Sequence, residues 1–155
     1  MKRALLAMLT AMLLSPMSVL AQSVVGTYKL VSFAVTIGGE TNADFLGKMP
    51  NGYIIIMPTR MMTVITKEGR KQAKSMEEKA ALVDSIIAYT GPYRIDGGKF
   101  ITSVDASWSE AWTGTQQART LSVAGNRLTL VTDPAPFTPD PTKTVTATLV
   151  REKIE

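Results

Sequence analysis

The chain has 155 residues, with 17 Lys and Arg against 13 Asp and Glu, and contains neither cysteine nor histidine. The missing histidine excludes Ser-His and Cys-His nucleophile pairs; with cysteine also missing, the usual zinc sites and His- or Cys-held haem go too, so no metal and no cofactor is expected. The basic residues form no run interleaved with aromatics, so nucleic acid is not an expected partner.

Residues 1–21, MKRALLAMLTAMLLSPMSVLA, read as a secretory signal peptide. Lys2 and Arg3 make a positive start, an apolar stretch runs from Ala4 to Leu14, and Val19-Leu20-Ala21 supplies small residues for cleavage. The apolar core falls short of the roughly 20 residues a spanning helix needs, and Ser15-Pro16 interrupts it. Cleavage after Ala21 leaves residues 22–155 as one domain with no membrane span, in the periplasm or outside the cell. Removing Lys2 and Arg3 lowers the side-chain balance from +4 to +2.

Val24 to Thr36 is rich in β-branched and aromatic residues and stops at Gly38-Gly39, which predicts a strand over 24–36. Residues 38–50 read as a loop. Strands follow at 51–57 and 61–67, joined through Pro58-Thr59-Arg60. Lys67, Arg70, Lys71 and Lys74 form one basic cluster, read as a solvated loop. Ser75 with Glu78 three residues later is a capping box. Leu82, Val83, Ile86 and Ile87 follow at helical spacing, predicting one amphipathic helix over about 76–90, stopped by Gly91-Pro92 and packed on the barrel. Further strands are predicted at 92–96, 99–106, 113–123, 127–132 and 144–152. Asp96-Gly97-Gly98 and Ala124-Gly125-Asn126 supply hairpin turns, and the proline-rich 133–143 a loop. Eight strands with mostly hairpin-length connections give an all-β fold, an eight-stranded up-and-down antiparallel barrel. A two-sheet sandwich is the alternative.

Several segments resemble a known family. Gly26-Thr27-Tyr28-Lys29-Leu30-Val31-Ser32 is similar to the opening strand of lipocalin-like domains, with Tyr28 where Trp is usual. Pro50 to Ile54 with Met61-Met62, Glu77-Glu78-Lys79, Ile87-Ala88-Tyr89 and Gly91-Pro92-Tyr93 resemble the bacterial and fungal lipocalin-like branch of the calycin-type barrels. So do Trp112 to Gln117 with Arg119, and Asn126 to Leu130. The resemblance covers nearly the whole mature chain. It implies a ligand-binding barrel and no particular reaction.

Side chains alternate across a strand, so parity sorts candidates for the interior. Val145, Ala147, Leu149 and Arg151 share one face of the last strand, and Tyr28 and Leu30 share one face of the first. Where those strands meet, Arg151 is expected to lie over the Tyr28 ring and close the barrel, a closure the resemblance also implies. Arg119 shares parity with Leu121 and Val123 and is expected inside, paired with Asp105, Glu110 or a bound carboxylate. Trp108 and Trp112 are rim candidates, and Tyr53, Met57, Met62 and Tyr93 candidates for the lining.

The function expected is binding of a small, mostly apolar ligand in the barrel of an exported protein, with an anionic end held by Arg119. Two alternatives belong to other classes. One is a cofactor-free isomerase or cyclase that uses Asp105 or Glu110 as a base. The other is a filled barrel that binds other proteins through its outer loops.

Overall fold

Strand pairing begins where the β-branched and aromatic content rises. The structure, a computed structural model, describes residues 24–155; the signal peptide expected at 1–21 lies outside the described residues. The elements run β1 (Gly26–Ile37), β2 (Glu40–Asn42), β3 (Asn51–Ile56), β4 (Arg60–Thr66), α1 (Met76–Asp84), β5 (Ile86–Asp96), β6 (Lys99–Ser103), β7 (Ala106–Ser107), β8 (Gln116–Ala124), β9 (Arg127–Thr132), β10 (Ala135–Phe137) and β11 (Asp140–Lys153).

Eight antiparallel strands form a ring in the order β1, β3, β4, β5, β6, β8, β9, β11 and back to β1. The three short strands are appendages: β2 adds to β1, β7 to β5 and β10 to β11. Closure removes the free edges that an open sheet would expose to another chain. The eight-stranded up-and-down barrel expected from the turn spacing is therefore the fold.

Alternation builds the interior. Ile54 and Ile56 of β3, Met61, Thr63 and Ile65 of β4, Phe100 and Thr102 of β6, and Leu128 and Leu130 of β9 are all buried. A bulge in β1 changes its parity: Leu30 is opposite Arg151 and Ser32 opposite Val150, so Val31 is left without a partner. One inserted residue bends the strand and flips the side chains that follow. Tyr28 and Leu30 thus face inward before the bulge, and odd-numbered Phe33 and Val35 after it.

The helix differs from expectation. Its capping box is present, with Glu78 N donating to Ser75 Oγ and Ser75 N donating to Glu78 Oε2, both at 3.2 Å. It ends at Asp84 rather than near residue 90, and none of its residues is buried. The stripe expected to pack on the barrel is divided: Leu82 is half-buried, while Ile86 and Ile87 belong to β5. β-Branched Ile86 and Ile87 suit a pleated strand, and β5 pairs with β4 at all seven positions from Arg60 to Thr66. Gly91-Pro92 consequently lies within β5 rather than ending a helix.

Two loop expectations are also revised. Glu40–Asn42 within the 38–50 segment forms β2 on β1, and Ala135–Phe137 within 133–143 forms β10 on β11. Proline is tolerated in β10 because it is an edge strand.

Among the barrel's glycines, Gly91 leaves the least room for a side chain. A Cβ there would run into the carbonyl oxygen of Ser103, a backbone atom that cannot swing aside. Gly91→Ala is expected to cost about 2 kcal/mol or more of stability, in the range of overpacked cores, read as a lower urea midpoint at unchanged slope.

Candidate functional site

The barrel interior is filled at one end and hollow at the other. The filled end holds Val24, Tyr28, Ile54, Ile56, Met61, Ile95, Phe100 and Leu128, all buried. The hollow end is a cavity of about 560 Å³, within the range of small-molecule sites. Its apolar walls include Phe33, Val35, Ile65, Tyr89, Val145 and Leu149. Phe45, from the segment after β2, reaches the rim and stacks on Phe33 at 6.2 Å between ring centroids.

Every odd residue of β11 from Val145 to Arg151 lines the cavity, as the parity of the last strand requires. That run covers about 20 Å along the strand, from the mouth, where Val145 pairs with Ala135, down to Arg151. Arg151 pairs across the sheet with Leu30 on one side and Leu128 on the other, both buried, so it stands at the boundary between hollow and filled halves.

Two arginines enter this space. Arg119 is 8% exposed, with its guanidinium carbon 5.8 Å from the Tyr89 ring centroid and 5.9 Å from that of Trp112. Trp112 is held edge-on by Tyr89 at 5.4 Å and by Trp108 at 4.8 Å. A backbone turn fixes this aromatic cluster: Trp112 N donates to Ser109 O at 2.9 Å and Thr115 N to Trp112 O at 3.0 Å. Arg151 is 2% exposed; its Nη2 donates to Thr63 Oγ1 at 3.3 Å, and its buried Nε has no partner among the described residues. Thr63 in turn donates to Tyr53 O at 2.9 Å, which ties the hydroxyl to β3.

Neither arginine is in a salt bridge among the described residues. Asp105, a predicted partner of Arg119, lies 2.7 Å from Arg60 instead, and that contact holds its carboxyl below the usual carboxylate range. Glu110, the other, accepts from Thr113 Oγ1 at 3.3 Å. Neither carboxylate lines the cavity, so neither is placed to act as a base on a bound ligand. Asp133 at the rim is matched by Lys99 at 2.6 Å. Burial, helped by the neighbouring charge of Arg119 and opposed by Tyr89, lowers the Arg151 pKa from its ordinary value to about 10.

The remaining candidates are sorted by the pleat. Arg119 and Trp112 line the cavity, and Trp108 supports Trp112 from behind. Tyr53 and Met62, expected to line it, point outward and are 41% and 46% exposed; Met57 is exposed as well. Gly52, Ile54 and Ile56 take the inner face of β3, and Met61, Thr63 and Ile65 that of β4, which forces the alternate residues out. Tyr93 stacks on Phe100 at 4.6 Å outside the cavity, with its buried hydroxyl unpartnered. Tyr28 and Arg151 do sit on the two closing strands, but the cation over the Tyr28 ring is Lys153, at 5.9 Å. Tyr28 pairs with Lys153 and Leu30 with Arg151, so the register sets Lys153 beside the ring, and Arg151 turns to Thr63. Phe33, Phe45, Thr63 and Tyr89 were missed as lining residues. The bulge hid Phe33, and the helix expected over 76–90 hid Tyr89.

A closed antiparallel barrel with one end plugged and an apolar hollow at the other defines a lipocalin-type ligand-binding protein. The chain belongs to the family of lipocalin-like domains, whose model matches residues 25–154. Among curated proteins, none matches it.

The lowered Arg151 pKa has a consequence for stability. Its folded value, about 10, lies below the ordinary arginine value, so in that window the unfolded chain binds the proton more strongly and stability rises with pH. The buried charge therefore costs roughly 3 kcal/mol at neutral pH. With Arg151→Met as the reference, which cancels the tyrosine and lysine titrations, wild type is expected to gain about 1 kcal/mol between about pH 9 and about pH 11 in chemical unfolding.

Proposed function

We propose that this protein is exported and binds a small, mostly apolar molecule inside the barrel, with an acidic end drawn to Arg119, in the periplasm or outside the cell. The supporting observation is the cavity itself: about 560 Å³ with mostly apolar walls, containing two arginines that no carboxylate among the described residues neutralises. A charge buried without a partner is costly, and a ligand that brings the opposite charge recovers that cost on binding. Aromatic and aliphatic walls suit an apolar body, while Arg119 presents planar donors that match a carboxylate two at a time.

Native mass spectrometry of protein purified from its own host, followed by extraction, tests this reading. A reproducible co-purifying small molecule is expected; failure to bind any of a broad set of fatty acids, phenolics and isoprenoids would overturn it. N-terminal sequencing of the same material is expected to begin at Gln22, and a retained Met1 would remove the case for export.

The wall assignment gives a residue-level outcome. Trp112→Ala is expected to weaken ligand binding at least about tenfold, losing aromatic contact and the support of Arg119, a change near 1.4 kcal/mol. Met62→Ser, on the outer face, leaves the affinity within about twofold. Isothermal titration of both variants with one ligand measures the contrast.

A further inference from the structure

We propose that Arg151 and Thr63 form the head-group subsite at the deep end of the cavity, so that an amphipathic carboxylic acid enters acid end first and leaves its apolar tail toward Phe33 and Phe45 at the mouth. This rests on the carrier reading above and deepens it: it names the ligand class, its orientation and a second anion-binding residue.

The geometry that carries it is the state of Arg151. A guanidinium offers five donors in one plane. Here one nitrogen makes a single 3.3 Å bond to a threonine hydroxyl, and Nε is buried without a partner. The side chain is 2% exposed, so bulk water does not replace the missing acceptors. Barrel closure does not use the charge, since Lys153 is the cation over Tyr28. What Arg151 faces is the cavity, which it lines together with Thr63 and Leu149.

Thr63 is a positioning residue in this arrangement. Its hydroxyl gives its proton to Tyr53 O and therefore meets Arg151 as an acceptor. That contact engages Nη2 and, because Nε is sealed off, leaves Nη1 as the donor for an oxygen of a group entering from the cavity. Arg119 supplies a second positive charge from the wall. Like charges lining one cavity repel, and an anion held between them removes that repulsion while gaining both attractions. A carboxylate fits better than a bulkier, more heavily hydrated head, because it must pass between Phe33, Tyr89, Val145 and Leu149 to reach the bottom.

The test uses cis-parinaric acid, a fluorescent polyene acid, and its methyl ester, titrated into wild type, Arg151→Met, Thr63→Val and Arg119→Gln. Wild type is expected to bind the acid at least about tenfold more tightly than the ester. Arg151→Met removes most of the acid preference, leaving only the part Arg119 supplies, and keeps the ester within about threefold, while ligand-free Arg151→Met melts about 4 °C or more higher because an unpaired buried charge is gone. Thr63→Val weakens the acid severalfold and spares the ester, and it gives an independent readout if Arg151→Met does not fold. An acid preference that survives both Arg151→Met and Thr63→Val in full but disappears in Arg119→Gln overturns the deep subsite and leaves the Arg119 reading standing. Equal binding of acid and ester by wild type removes any anion site and leaves an apolar carrier. A lower melting temperature for Arg151→Met with acid affinity unchanged makes Arg151 a structural residue. Binding of neither probe overturns the subsite and the carrier reading together.

Discussion

The pairing of the first barrel strand with the last is the constraint on which the rest of the molecule depends. β1 and β11 match at nine positions, from Tyr28 with Lys153 to Ile37 with Val145. This contact joins the two ends of the chain, so its loop-closure entropy is set by the full length of the domain. In return every barrel strand has two neighbours, and the interior becomes an enclosed space rather than one face of a sheet. The cavity, the buried arginines and the plug at the far end exist only because that seam is closed.

The seam is not uniform, and its irregularity divides the barrel into two halves. At the Val31 bulge β1 changes which residues face inward. Below it, Tyr28 and Leu30 join Ile56, Met61 and Leu128 in a packed plug. Above it, Phe33 and Val35 line open space. Arg151 stands opposite Leu30 at this transition. One inserted residue thus decides which residues of β1 line the cavity and which pack in the plug.

The site runs against the rules of a stable core. Apolar side chains of the same size as Arg119 and Arg151 would give a tighter and more stable interior, because two buried cations without a carboxylate partner among the described residues oppose folding. Elsewhere the described carboxylates that meet cations do so at the surface, as Arg60–Asp105, Lys99–Asp133, Arg127–Glu152 and Lys143–Asp140 do, where such pairs are worth little. Asp105 and Glu110 are near Arg119 in sequence, yet the strand ends turn them away from the cavity. Local departure from the best core, with every other level of the fold consistent, is the pattern expected where an interior serves binding.

Period-two alternation, glycine turns and a capping box are local properties, so the amino-acid sequence by itself determined the all-β class, the eight barrel strands, the helix start at Ser75 and the inward parity of Val145 to Arg151. It failed where both faces of a segment read alike. Tyr53-Ile54-Ile55-Ile56-Met57 is apolar throughout, so nothing in it says that Tyr53 faces solvent. Ile86 and Ile87 satisfy helical spacing and strand propensity equally, and only the open edge of β4 decided for the strand. The tertiary structure alone decided that Lys153 rather than Arg151 meets Tyr28, that Arg151 turns to Thr63, and that the expected carboxylate partners of Arg119 lie elsewhere. Those outcomes depend on cross-strand register and on a one-residue bulge. Both are set by contacts between residues far apart in the chain, which no local pattern encodes.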